Sequence, residues 1–151
     1  MAMEYYGLIL NRTYLVILAD NKLIGIVVNG LVSVESHGKG AIISNQMAIK
    51  GDLTNPYAYI KKSYFDKIRN LDLFGEELLK AEKSNFRINT NDISNATYDS
   101  RKKWGMGNYP HDGKVYLETK NGKKREFIIL GNQSGGDIAN WLLLPQSLPR
   151  V

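Results

Sequence analysis

The chain has 151 residues, carries a net charge of +5 and is 43% hydrophobic and 23% charged. That length suits one ordinary domain with its own core, and the composition reads as soluble and globular, which excludes a disordered chain. With no cysteine it has no disulfide framework, no thiolate metal site and no cysteine nucleophile.

The opening "MAMEYYGLIL" carries an acid and no early Lys or Arg, which argues against a secretory leader and makes the cytoplasm the expected location. The first strong element is a hairpin, "TYLVILADNKLIGIVVN" (Thr13–Asn29), two β-branched apolar runs around a tight polar turn. Neither run approaches the roughly 20 residues needed to span a bilayer. "LVSVES" (Leu31–Ser36) alternates and is expected to continue the sheet as a further strand. "HGKGAIISNQMAIKGD" (His37–Asp52) is a glycine-rich loop followed by a short apolar run.

From Asn55 the period changes to that of a helix. Asn55 suits an N-cap and Pro56 the first helical position. Tyr57, Ile60, Tyr64, Phe65 and Ile68 recur three and four apart, which predicts one apolar face. "GEELLKAEK" (Gly75–Lys83) is a second short helix, with early acids and late lysines matched to the helix dipole. The expected helical insertion therefore covers about 55–83. "FRI" (Phe86–Ile88) returns to strand, "TNDI" (Thr90–Ile93) is a turn, and "NATYDSRKKW" (Asn95–Trp104) is a polar strand followed by the loop "GMGNYPHDG" (Gly105–Gly113).

The last hairpin, "GKVYLETKNGKKREFIIL" (Gly113–Leu130), turns at Asn121-Gly122. A two-residue loop would leave both faces mixed. A three-residue loop of Lys120, Asn121 and Gly122 instead sets Val115, Leu117 and Thr119 with Phe127 and Ile129 on one face, and Tyr116 and Glu118 with Lys124, Glu126 and Ile128 on the other. Glu118 then faces Lys124, a favourable cross-strand pair, and Gly122 takes the left-handed bulge position. Arg125 has inner-face parity, and its head is expected to reach water at the open end. The chain closes with Ser134, a cap for a helix over about 135–144. Its Ile138, Trp141 and Leu142 form an apolar stripe, and Pro145 ends it.

This order, antiparallel strands with a helical insertion and one final helix, predicts a single domain over 1–151. It is mainly β (α+β): a partly open antiparallel barrel of about seven strands, capped by the C-terminal helix with Trp141 as its plug. At this point the chain resembles the pleckstrin-homology-like superfamily, in particular its bacterial and GRAM-related members. "YLVILADNKLIG", "FRINTNDISNATYDS" and the last hairpin with its closing helix carry the likeness. The resemblance implies a seven-stranded barrel capped by a helix, and a binding or assembly role rather than catalysis. The basic early turn of lipid-binding relatives is not matched, since "ADNKL" holds one lysine and one acid.

The most site-like stretch is Tyr98–Lys114, which interleaves Arg101, Lys102 and Lys103 with Trp104, Tyr109 and His111. Aromatics among cations can stack bases or hold phosphate. The bland reading is a strand end and long loop with solvated cations. His37, His111 and Asp112 lack metal-ligand spacing, so no metal or cofactor is expected. Tyr116 and Ile128, apolar on the wet hairpin face, mark a contact with another chain or cover by the insertion. The candidate surface is thus Arg101, Lys102, Lys103, Trp104, Tyr109, His111, Tyr116 and Ile128. The leading function is a non-enzymatic module for protein–protein contact or self-association. The alternative is binding of nucleic acid or an anionic ligand such as lipid headgroups, through loop 98–114 and the hairpin tip 120–125.

Overall fold

The computed structural model describes residues 1–7, 10–33, 52–102, 106 and 109–144. The expected apolar run within His37–Asp52 and the residues Lys103 and Trp104 lie outside them. Seven strands form one antiparallel sheet that curls into a half-barrel: β1 (Ala2–Gly7), β2 (Leu10–Ala19), β3 (Lys22–Ser33), β4 (Phe86–Asn89), β5 (Ile93–Asp99), β6 (His111–Thr119) and β7 (Lys124–Leu130). Their spatial order is β4-β3-β2-β1-β7-β6-β5. Among the described residues the sheet is joined by three short helices, α1 (Lys62–Ile68), α2 (Glu76–Ala81) and α3 (Gly135–Leu143). No helix among the described residues is long and apolar enough to cross a membrane.

β1, the central strand, was not among the expected elements. Its alternation is hidden by Glu4, a carboxylate at an inward position. The expected separate strand from Leu31 is also corrected. Leu31–Ser33 are the end of β3, which pairs back onto β2 past a bulge between Arg12 and Tyr14. The β2–β3 turn is a two-residue loop with Asp20 and Asn21 at φ 46° and 58°, the left-handed pair that matches strand twist. The last hairpin has the expected register, with Glu118 opposite Lys124, Val115 opposite Phe127, and Gly122 at φ 81°.

The runs "LIGIVV" and "FIIL" are apolar without a break because both sheet faces are covered there. Leu23, Val27, Phe127 and Ile129 face the inside of the half-barrel, in a core to which all seven strands and α3 contribute. Ile24, Ile26, Val28, Ile128 and Leu130 face outward under the insertion, against Tyr59 and Leu78. A 3-10 turn at Thr90–Asp92 links the two sheet edges. Thr90 N–H donates to Asn21 O and Lys120 N–H to Asp92 O, each at 2.8 Å, so one turn ties together the tips of both long hairpins.

The insertion departs from the single helical face read from the sequence. Asn55 does cap, its side chain accepting from Tyr57 N–H at 3.0 Å, but Pro56–Tyr59 is a 3-10 turn that ends at extended Ile60. The break resets the phase before α1. Tyr57 is 67% and Phe65 44% exposed, while Tyr59 is fully buried. Lys61 N–H donates to Val28 O and Asn85 bridges Val27 N–H to Leu78 O, which pins the insertion on β3.

α3 begins at the expected cap, with Ser134 Oγ accepting from Asp137 N–H at 3.2 Å. Its rotation is not the expected one. Gly135, Ala139 and Leu142 face the sheet, and Trp141 is 55% exposed rather than a buried plug. The reason is close approach: a Cβ on Gly135 would stand 2.6 Å from the Tyr98 ring. Small residues bring the helix onto β5 and β6, and Trp141 is turned to the side.

Candidate functional site: an apolar cleft under the closing helix

The residues singled out in the sequence do not form one surface. Arg101 and Lys102 are exposed, and Arg101 forks onto Asp99, with Nη2 donating to Oδ2 at 2.8 Å. Those hydrogen bonds hold the Asp99 carboxyl down at about 2. Tyr109 is buried, its ring 6.1 Å from that of Tyr59. His111 is also buried, with Nδ1 3.0 Å from Tyr109 O, because β6 starts at His111 and not after the loop. Ile128 has the expected outward parity yet is 1% exposed, since the insertion core covers that end of β7. Tyr116 is half-buried, with Lys114 Nζ 5.2 Å from its ring centre. Among the described residues no cluster of three His, Asp or Glu could hold a metal ion.

The wet face of β5–β6–β7 largely neutralises itself. Lys114 Nζ lies 3.5 Å from Glu126, and Lys124 Nζ 3.7 Å from Glu118. Lys120 and Lys123 are exposed at the tip. Arg125 corrects the expectation of a solvated head: it points into the half-barrel and binds Glu4 at 2.9 Å. Behind the loop, Asp112 accepts from Tyr98 OH at 2.6 Å and from Gly135 N–H at 2.7 Å. Its carboxyl is pushed down by the Tyr98 hydroxyl first and by the helix amide second. That carboxylate anchors the N-terminus of α3.

The displaced α3 leaves a space. A cleft of about 480 Å³ opens between the inner sheet face and the helix. Val16, Leu18 and Leu23 form one wall, Val115, Phe127 and Ile129 the floor, and Ile138 and Leu142 the helix side. Gln133, Ser134, Asp137 and Trp141 make the rim. Two of these polar groups are already engaged. Gln133 Nε2 donates to Met1 O and Leu130 O at 2.7 Å each, and Ser134 caps α3. The exposed carboxylate of Asp137 is the charged side chain among the lining residues. The sequence hid this cleft, because "YLVILA" reads as a strand with both faces filled.

Fold and site together define a mainly β half-barrel carrying an apolar cleft under its closing helix. Compared with known protein families, curated proteins and solved structures, the chain matches none.

Proposed function

We propose that this chain is a non-enzymatic binding or assembly module that acts through protein–protein contact, with the cleft beneath α3 as its contact site. The observation that carries the reading is an apolar cleft whose rim includes the exposed Trp141, at a helix end with further exposed apolar residues. Trp141, Leu143 and Leu144 are 55%, 51% and 53% exposed at the same end of the helix. Exposed apolar surface beside an apolar cleft marks contact with a partner. A small-molecule pocket of about 300–1,000 Å³ places a few free polar groups to orient its ligand. Here Gln133 and Ser134 are spent within the fold. The resemblance to the pleckstrin-homology-like superfamily points to the same class of role, in a bacterial cytoplasm. Nucleic acid is the weaker reading, because Arg101, Lys114 and Lys124 each have an acidic partner.

The test places a photo-crosslinking residue at exposed Asn140. The expected result is one identified protein partner, retained across a roughly ten-fold rise in salt, which would strip a multi-phosphate contact, and lost in Leu18→Lys. Tight, salt-labile RNA binding that survives Leu18→Lys and disappears when Arg101, Lys102 and Lys124 become Gln would overturn the reading in favour of nucleic acid.

A further inference from the structure

The tip of the last hairpin holds one of the chain's two Asn-Gly pairs, Asn121-Gly122; the other is Asn29-Gly30. An asparagine before glycine is open to attack on its own side-chain amide, because no Cβ on the next residue shields the peptide nitrogen. At the tip both residues are exposed. Gly122 stands at φ 81°, with open space where a Cβ would be. Lys120 and Lys123 flank the pair, and nearby cations favour the deprotonated nitrogen that attacks.

Thr119 holds both reactants. Its carbonyl accepts from Gly122 N–H at 2.8 Å, and its hydroxyl donates to Asn121 Oδ1. Lys123 N–H donates to the same Oδ1 at 3.3 Å and to Thr119 Oγ1 at 3.2 Å. The new bond takes the place of the N–H bond, so the Gly122 nitrogen must first turn from Thr119 O toward Asn121 Cγ. The two donors on Oδ1 polarise the side-chain carbonyl. That polarisation is without effect while the nitrogen points elsewhere.

We infer that Asn121 is a site of spontaneous conversion to aspartate and isoaspartate, with water as co-reactant, and that Thr119 is the residue that restrains it. Gly122 N bonds to Asn121 Cγ, the Cγ–Nδ2 bond breaks, and ammonia leaves with the proton from Gly122 N–H. Water then opens the cyclic imide. Opening at the side-chain carbonyl gives aspartate, and opening at the main-chain carbonyl gives isoaspartate. Aspartate keeps the loop and accepts the same hydrogen bonds as a carboxylate. Isoaspartate adds one backbone carbon to the loop, which disturbs the register that sets Glu118 opposite Lys124. Asn29-Gly30 is held differently. It is half-buried within β3, with Asn29 Nδ2 donating to Tyr59 O at 3.0 Å and Oδ1 accepting from Gly30 N–H at 2.8 Å. Its cyclisation needs extended β3 to bend out of the sheet, so Asn29 gauges wider opening of the fold.

The experiment holds the full chain, Thr119→Val and Thr119→Ser in mildly alkaline buffer. Digests taken over time are mapped by mass spectrometry, with aspartate and isoaspartate peptides separated by chromatography. In wild type, Asn121 is expected to convert ahead of Asn29. Thr119→Val should convert about ten-fold faster at Asn121, the scale of one lost hydrogen bond, with Asn29 unchanged. Thr119→Ser, which keeps the hydroxyl, should match wild type. Amide exchange tests the restraint on wild type alone, where Gly122 N–H should exchange far more slowly than in an unstructured peptide. An Asn121 rate equal in Thr119→Val and wild type overturns the restraint, and so does exchange of Gly122 at the unstructured rate. An equal rise at Asn29 in Thr119→Val overturns it in favour of a general loss of stability. Conversion of Asn29 ahead of Asn121 in wild type, or none at Asn121 in any of the three proteins, overturns the site.

Discussion

Arg125 donates to both carboxylate oxygens of Glu4, at 2.9 and 3.0 Å, and lies 3.6 Å above the centre of the Phe86 ring. The pair joins β7 to β1 on the inner face, and Phe86 in turn meets the Phe127 and Tyr14 rings. It sits largely out of water, with side chains 27% and 19% exposed. Arg125→Ala removes the stack and strands the Glu4 carboxylate, and the expected loss is about 1.5–3 kcal/mol, the scale for a hydrogen bond to a charged group. Arg125→Lys recovers only part of it, because a point charge neither forks nor stacks as a guanidinium does. Urea midpoints measure both. A midpoint for Arg125→Ala equal to wild type would refute the assignment.

Asp112 makes stability depend on pH in the acid range. Its folded-state affinity for protons is lowered by Tyr98 OH and the Gly135 amide. A depressed carboxyl contributes stability that is complete above its unfolded value, about 4, and is lost as pH falls through the lower folded value. Asp99, held at about 2 by Arg101, adds a loss in the same direction. Thermal midpoints of wild type should therefore fall as pH drops below about 4. Asp112→Asn should flatten the upper part of that fall. Parallel acid limbs for the two proteins would rule out a role for this carboxylate.

The rotation of α3 makes opposite forecasts for neighbouring residues. Leu142 is 6% exposed, and Leu142→Ala should cost about 2–5 kcal/mol. Trp141→Ala, at an exposed position, should cost less than about 1 kcal/mol. Gly135→Ala should destabilise the helix dock, since its Cβ would also approach Asp112 O to 2.9 Å. Guanidinium denaturation of the three variants decides the matter, and a Trp141→Ala loss larger than that of Leu142→Ala would contradict the observed rotation.

Tyr59 is fully buried between the sheet and the insertion, and its hydroxyl has no hydrogen-bond partner among the described residues. Burial, with Tyr109 beside it, raises its pKa well above the ordinary tyrosine value. An unpaired buried hydroxyl is costly, so Tyr59→Phe should leave stability unchanged or raise it by up to about 1–2 kcal/mol. Tyr59→Ala should lose about 3–5 kcal/mol, as for other large buried aromatics. Differential scanning calorimetry separates the two, and a marked loss in Tyr59→Phe would reveal a bond to the hydroxyl.

The sequence by itself determined what neighbouring residues decide. Gly122 and the parity of Val115, Leu117, Phe127 and Ile129 set the register of the last hairpin. Asp20-Asn21 set the first turn, Asn55 and Ser134 the caps, and Thr90–Asp92 the corner between the sheet edges. Turn geometry, capping and side-chain alternation act within a few residues, so they leave a readable local pattern. The tertiary structure decided which surfaces are covered. Glu4 disguised β1 until Arg125 from the far end of the chain met it. Ile60 broke the helical phase and buried Tyr59 in place of Tyr57. Tyr109 and Ile128 went inside because the insertion packs over one end of the sheet. Trp141 came out because Gly135 and Ala139 let α3 settle on β5 and β6. Each of these depends on contacts between segments far apart in sequence, whose docking distance is set by side-chain volume on both partners and is not encoded in either pattern alone.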